Sequence, residues 1–109
     1  MTEDAAKRAA LSAKLRELGA RFTERNVGDL AALVACVERL RTGAPDVLGD
    51  IEAIAHRMSG TGATLGFHAI SAAAEALERL AGSPGVTQME LTASLETLRV
   101  AIARHEQQA

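Results

Sequence analysis

The amino-acid sequence predicts an all-α fold, an antiparallel up-down four-helix bundle with an N-terminal helical extension. Three observations carry that expectation. Ala, Leu, Glu and Arg, all strong helix formers, dominate the chain, while aromatic residues make up only 2% of its 109 positions. Apolar residues, 48% of the total, recur at helical spacing in several separate segments. Clusters of Gly and Pro divide those segments at Thr42-Gly43-Ala44-Pro45 and Gly82-Ser83-Pro84-Gly85. The length suits one compact domain. That domain is expected over residues 1–109, with 1–19 as an N-terminal helical segment and 20–106 as the bundle.

In the first segment, Leu11, Leu15, Leu18 and Phe22 form a stripe that Leu30, Leu33, Val37 and Leu40 resume. Asn26 falls in the gap, and Gly19 and Gly28 weaken the helix locally. A helix over about 20–41 is predicted, preceded by a helical stretch either continuous with it or bent near Gly19. Asp46 is placed to cap the next helix, whose apolar face is Val47, Ile51, Ile54, Ala55, Met58 and Leu65. Gly66 is placed as the left-handed residue that stops it. A third helix is predicted from about Ala69 to Ala81, with Ile70, Ala74, Leu77 and Ala81 inward and Gly82 as terminator. Thr87-Gln88-Met89-Glu90 has the form of a capping box and opens the last helix, where Leu91, Leu95, Leu98 and Ile102 face the core. Each stripe needs a partner, and short connections make sequential helices antiparallel neighbours.

Composition excludes several functions. The formal net charge is −2, from 12 basic and 14 acidic residues. With no basic stripe and no aromatic platform, nucleic acid is a poor partner. The single cysteine, Cys36, lies in an apolar run and reads as a small buried hydrophobe. No apolar signal region follows the acidic first residues, and no apolar run reaches the roughly 18 residues of a membrane span. A cytoplasmic, soluble protein is expected, and a monomer, since no second apolar face is evident.

The residue that departs from the bundle pattern is His56. At 100° per residue it lies far round the second helix from the apolar face, aimed at water. Its neighbours one turn away are Glu52, Ser59, Gly60 and Ala63, two of which have almost no side chain. A glycine inside a helix costs up to about 1 kcal/mol relative to alanine, and Gly60 and Gly62 both lie here; clearance for an approaching partner would justify that cost. Neutral imidazole is a competent nucleophile toward phosphorus, and phosphoryl transfer asks mainly for positioning and charge neutralisation. Arg57 and Ser59 are the local groups able to steady phosphoryl oxygens.

The run Ala55-His56-Arg57-Met58-Ser59-Gly60-Thr61-Gly62-Ala63-Thr64-Leu65-Gly66-Phe67 resembles the signature of histidine phosphotransfer domains. The matching positions are His56, Met58, Gly60, Gly66, Ile70 and Leu77-Glu78, and the resemblance extends in order over the four helices. It implies a four-helix bundle whose exposed mid-helix histidine is phosphorylated, on Nε2, by a receiver-domain aspartate or a histidine kinase and passes the group to another receiver. It also implies that Mg²⁺ belongs to the receiver and that this chain binds no cofactor, has no ATP site and turns nothing over by itself. The family usually has Lys three residues after the histidine, where Ser59 stands here. Arg57 or a cation on a neighbouring helix would then supply the charge. The alternative is a histidine phosphotransfer-like module that binds a receiver or kinase without being phosphorylated.

Other constellations are weaker. His68 reads as a helix-start or partner-contact residue, and His105 as a cation suited to a helix C-terminus. The three histidines lack metal-ligand spacing. Glu75 and Glu78, beside Arg79, read as a solvated face. Gly60-Thr61-Gly62 is no phosphate loop, as no Gly-Lys-Ser/Thr follows. A kinase dimerisation helix would carry an acidic residue after the histidine and a nearby Pro, and Arg57 follows instead.

Overall fold

The computed structural model describes residues 2–43 and 46–108; Ala44 and Pro45 of the first predicted break lie outside the described residues. The described residues form four helices: α1 Glu3–Leu40, α2 Val47–Leu65, α3 His68–Ala81 and α4 Gln88–Gln108. Each packs against its sequence neighbour, and α4 closes the bundle against α1. Cross-helix pairs show the antiparallel order. Gly62 approaches Ser71, Asp29 faces Arg57, and Thr23 and Val37 of α1 bond to His105 and Gln88 of α4. The chain is an all-α, up-down four-helix bundle.

The stripes of α2, α3 and α4 supply most of the core. Val47, Ile51, Ala55 and Met58 are buried, as are Ile70, Ala74, Leu77 and Ala81, and Leu91, Leu95, Leu98 and Ile102. Ile54 and Leu65 pack at its edge. Cys36 is buried too, and that burial pushes its thiol above the ordinary range.

The helix ends follow from particular residues. Thr87 and Glu90 form the capping box reciprocally: Glu90 N–H donates to Thr87 Oγ1 at 3.2 Å, and Thr87 N–H to Glu90 Oε1 at 3.3 Å. Asp46 precedes α2 but makes no side-chain cap bond, because its backbone is already helical. Gly66 stops α2 with φ +84°, and the Phe67 and Gly66 amides close on the Gly62 and Ala63 carbonyls. Gly66→Ala forces a side chain into that left-handed conformation. It should lower stability by about 1–2 kcal/mol, read as a lower urea midpoint with an unchanged slope.

α1 differs most from expectation. It is one continuous helix of 38 residues, without a bend at Gly19 or Gly28. Single glycines among strong helix formers do not outweigh the helix, and Gly19 has a packing reason, since a methyl group there would stand 3.3 Å from the Phe67 ring. Asn26 does not interrupt the stripe; it is fully buried one turn after Phe22, and neither side-chain polar atom has a protein partner. Leu11 and Leu15, predicted inward, are 60% and 50% exposed. They belong to a stretch of α1 that runs past the end of the bundle, which gives the molecule a long axis of 61 Å against 23 and 17 Å.

Candidate functional site

α2 orients the site through its buried face. Val47, Ile51, Ala55, Met58 and Gly62 turn inward, so His56 must turn outward. Its side chain is 76% exposed. One ring nitrogen is nevertheless engaged: Nδ1 lies 2.8 Å from Glu78 Oε2 on α3. An ionised carboxylate only accepts hydrogen bonds, so in the neutral ring this contact favours the proton on Nδ1 and the lone pair on Nε2, at the open edge of the ring. Glu78 is itself only 29% exposed, which limits its freedom to leave. The sequence reading that placed Glu78 on a solvated face is thereby corrected. The signal was present in the hairpin: His56 and Glu78 are equally far in sequence from Phe67 at the α2–α3 turn, and antiparallel helices pair such positions.

Beyond His56, a groove of about 670 Å³ opens between α1 and α2. His56, Arg57 and Gly60 line it from α2, and Leu18, Arg21 and Arg25 from α1. None of its lining residues is acidic. Arg21 is held by Glu17 at 2.6 Å and Arg57 approaches Asp29 at 3.8 Å. Arg25 enters no ion pair among the described residues. Gly60 is exposed, and a methyl group built on it would meet nothing within 4 Å. The Thr64 hydroxyl donates to the Gly60 carbonyl at 3.0 Å.

The family model for the Hpt domain matches residues 15–108. The chain belongs to the Hpt domain family. No curated protein and no solved structure shows a significant match. Hpt domains are phosphotransfer modules of two-component systems, and the match spans all of α2, α3 and α4 and most of α1.

In this Hpt domain the residues singled out from sequence separate into two groups. Arg57 and Gly60 share the groove with His56. Glu52, Ser59 and Ala63 lie outside it. Glu52 stands one turn before His56 with its carboxylate over Gly82, where an added methyl group would come within 2.7 Å. Ser59 turns to the α2–α3 seam: its carbonyl accepts from the Ser71 hydroxyl at 2.8 Å, and the two hydroxyl oxygens are 3.5 Å apart. Ala63 is exposed. Arg21 and Arg25 were not singled out, since nothing in the local sequence tells that α1 brings them beside His56.

Two further readings change. Gly62 provides no clearance; it is buried, where a methyl group would meet Ser71 at 3.4 Å and Phe22 at 3.5 Å. His105 does more than suit a helix end. Its ring tilts against Phe67 with centroids 4.3 Å apart, Phe67 stacks on Phe22 at 5.4 Å, and Nε2 lies 3.3 Å from Thr23 Oγ1. This cluster ties α4 and the α2–α3 turn to α1. Among the described residues no three His, Cys, Asp or Glu side chains gather as a metal site, and no helix is long and apolar enough to cross a membrane.

The open position at Gly60 leads to a prediction. Gly60→Gln should stabilise the isolated domain by up to about 1 kcal/mol, since glycine is a poor interior helix residue. The same side chain would stand beside His56 and should slow transfer from a protein donor several-fold or more. Paired urea melts and transfer kinetics check both halves; unchanged kinetics would mean that no partner surface passes over Gly60.

Proposed function

We propose that this Hpt domain relays phosphoryl groups, accepting them on His56 Nε2 from a receiver-domain aspartate or a histidine kinase and delivering them to another receiver aspartate. The observation that carries the reading is the division of labour on one ring: Nδ1 is held by Glu78, and Nε2 stands in the open beside a groove lined by cations.

The chemistry follows from that arrangement. The Nε2 lone pair attacks phosphorus, an N–P bond forms, and the P–O bond to the donor aspartate breaks, returning a carboxylate. The ring keeps its proton on Nδ1 and gains a positive charge, which the Glu78 carboxylate faces directly. Delivery to an acceptor aspartate is the reverse. The chain supplies no metal in this scheme; Mg²⁺ belongs to the receiver, where it neutralises phosphoryl charge. Arg57 and Gly60 remain on the docking side of His56. Glu52, Ser59 and Ala63 frame its rim, and Ser59 is reserved to the α2–α3 seam unless it rotates.

The test is transfer itself. Receiver domains phosphorylated with labelled acetyl phosphate should pass acid-labile label to the protein. A broad panel of receivers and kinases that leaves it unlabelled would overturn the reading. The second reading, a binding module without phosphorylation, is favoured by one observation, the absence of a lysine where Ser59 stands. It predicts that a receiver binds equally well to wild type and to His56→Ala and never transfers label.

A further inference from the structure

The first 15 residues of α1, Glu3 to Glu17, have no structural work to do in the bundle. From Glu3 to Glu17 every residue is exposed or partly exposed, and among the described residues none makes a hydrogen bond or ion pair to another helix. Contact with the rest of the bundle is in place at Leu18, which lines a groove shared with α2, and at Gly19, which approaches Phe67. The helix stands by local means: Thr2 Oγ1 accepts from the Ala5 amide, and Lys7–Glu3 and Lys14–Glu17 pair along its surface. At 1.5 Å per residue this arm reaches roughly 22 Å beyond the bundle. Its apolar stripe, Leu11, Leu15 and Leu18, is unpartnered at its outer two positions.

That stripe leads directly into the site. Leu18 and Phe22, next along the same face, line the groove that holds His56, with Arg21 and Arg25 on its edge. The geometry points to the arm as the outer half of the docking surface for the protein that exchanges phosphoryl with His56. Its occupant is a receiver domain, which lays an apolar face on Leu11, Leu15 and Leu18 and its acidic, aspartate-bearing pocket against the groove. This inference rests on the reading of His56 as the phospho-accepting residue.

Three considerations select that occupant. The groove has three arginines and no carboxylate among its lining residues, which complements an acidic pocket. The span from Arg25 to Leu11 is 14 residues, roughly 21 Å of helix, within reach of a standard patch of about 800 Å² per partner. A second copy of this chain fits less well: two arms pairing alone would contribute only about two heptads, short of the three to four that sustain a coiled coil.

The experiment compares wild type with Leu11→Ser/Leu15→Ser in three measurements. Phosphoramidate, a small donor with no docking surface, labels His56 directly. A panel of receiver domains phosphorylated with acetyl phosphate gives kcat/KM for transfer. Sedimentation velocity gives the oligomeric state. The expected result is equal labelling by phosphoramidate, a fall of about tenfold or more in receiver kcat/KM, carried by KM, and a monomer in both. Equal labelling with unchanged receiver kcat/KM would overturn the arm's role and leave the His56 reading intact. A wild-type dimer that the substitutions dissolve would overturn it in favour of a second copy. A wild type that neither phosphoramidate nor any receiver labels would overturn both.

Discussion

His56→Gln is expected to take up no phosphoryl group from any donor while its melting midpoint stays within about 3 °C of wild type. The amide has no nucleophilic lone pair on nitrogen, so the N–P bond cannot form. The fold has little stake in the ring, which is 76% exposed and touches the bundle through one hydrogen bond to Glu78. Exposed pairs of this kind contribute about 1 kcal/mol or less. Acid-labile label and a thermal melt on the same preparation check the two halves. Residual label on the variant would move the acceptor to His68 or His105, and His105 is already committed to Phe67 and Thr23.

The second large effect is expected at Glu78. Glu78→Gln keeps the size of the side chain and an oxygen able to accept from Nδ1, but removes the negative charge facing the ring. Hydrogen bonds to charged groups contribute about 1.5–3 kcal/mol against roughly 1 for neutral ones. With part of that screened at a largely exposed ring, a fall of about tenfold in transfer rate is expected. On the proposed reading Glu78 acts through the imidazole, which it contacts at Nδ1, and does not touch the phosphoryl group. A structural role alone would leave the ring's protonation pattern unchanged. ¹⁵N spectra of the imidazole should therefore show the proton confined to Nδ1 in wild type and shared between the two nitrogens in the variant. A normal rate with a wild-type ¹⁵N pattern would remove Glu78 from the mechanism.

Much of this architecture was legible in the sequence wherever the signal was local. The α2 stripe, the stop at Gly66, the Thr87–Glu90 box and the outward phase of His56 depend on residues within a turn or two of each other. What escaped depends on the partner helix. Glu78 looked solvated because its hydrogen-bond partner is 22 residues away. Gly62 looked like its neighbour Gly60, yet one meets Ser71 and Phe22 and the other meets nothing. Arg21 and Arg25 lie on a helix whose rotation against α2 no single-chain periodicity reveals. Asn26 looked like a gap because a polar residue in a core register breaks the pattern without breaking the packing. The α1 stripe was read as core because periodicity reports an apolar face and not what covers it. Leu11 and Leu15 have the spacing of buried residues and stay in water. The expectation of a monomer without a second apolar face loses its premise there.

The α2–α3 turn at Gly66–Phe67 has a kinetic consequence. His56 and Glu78 both belong to a single helical hairpin of contiguous chain, so loop closure is short and the two groups meet early as that hairpin forms. Partial opening that detaches α1 or frays α4 would leave the His56–Glu78 pair assembled, while the arginine side of the groove departs with α1. Amide exchange should therefore distinguish two cooperative units, one carrying His56 and Glu78 and the other the Arg21 and Arg25 side of the groove.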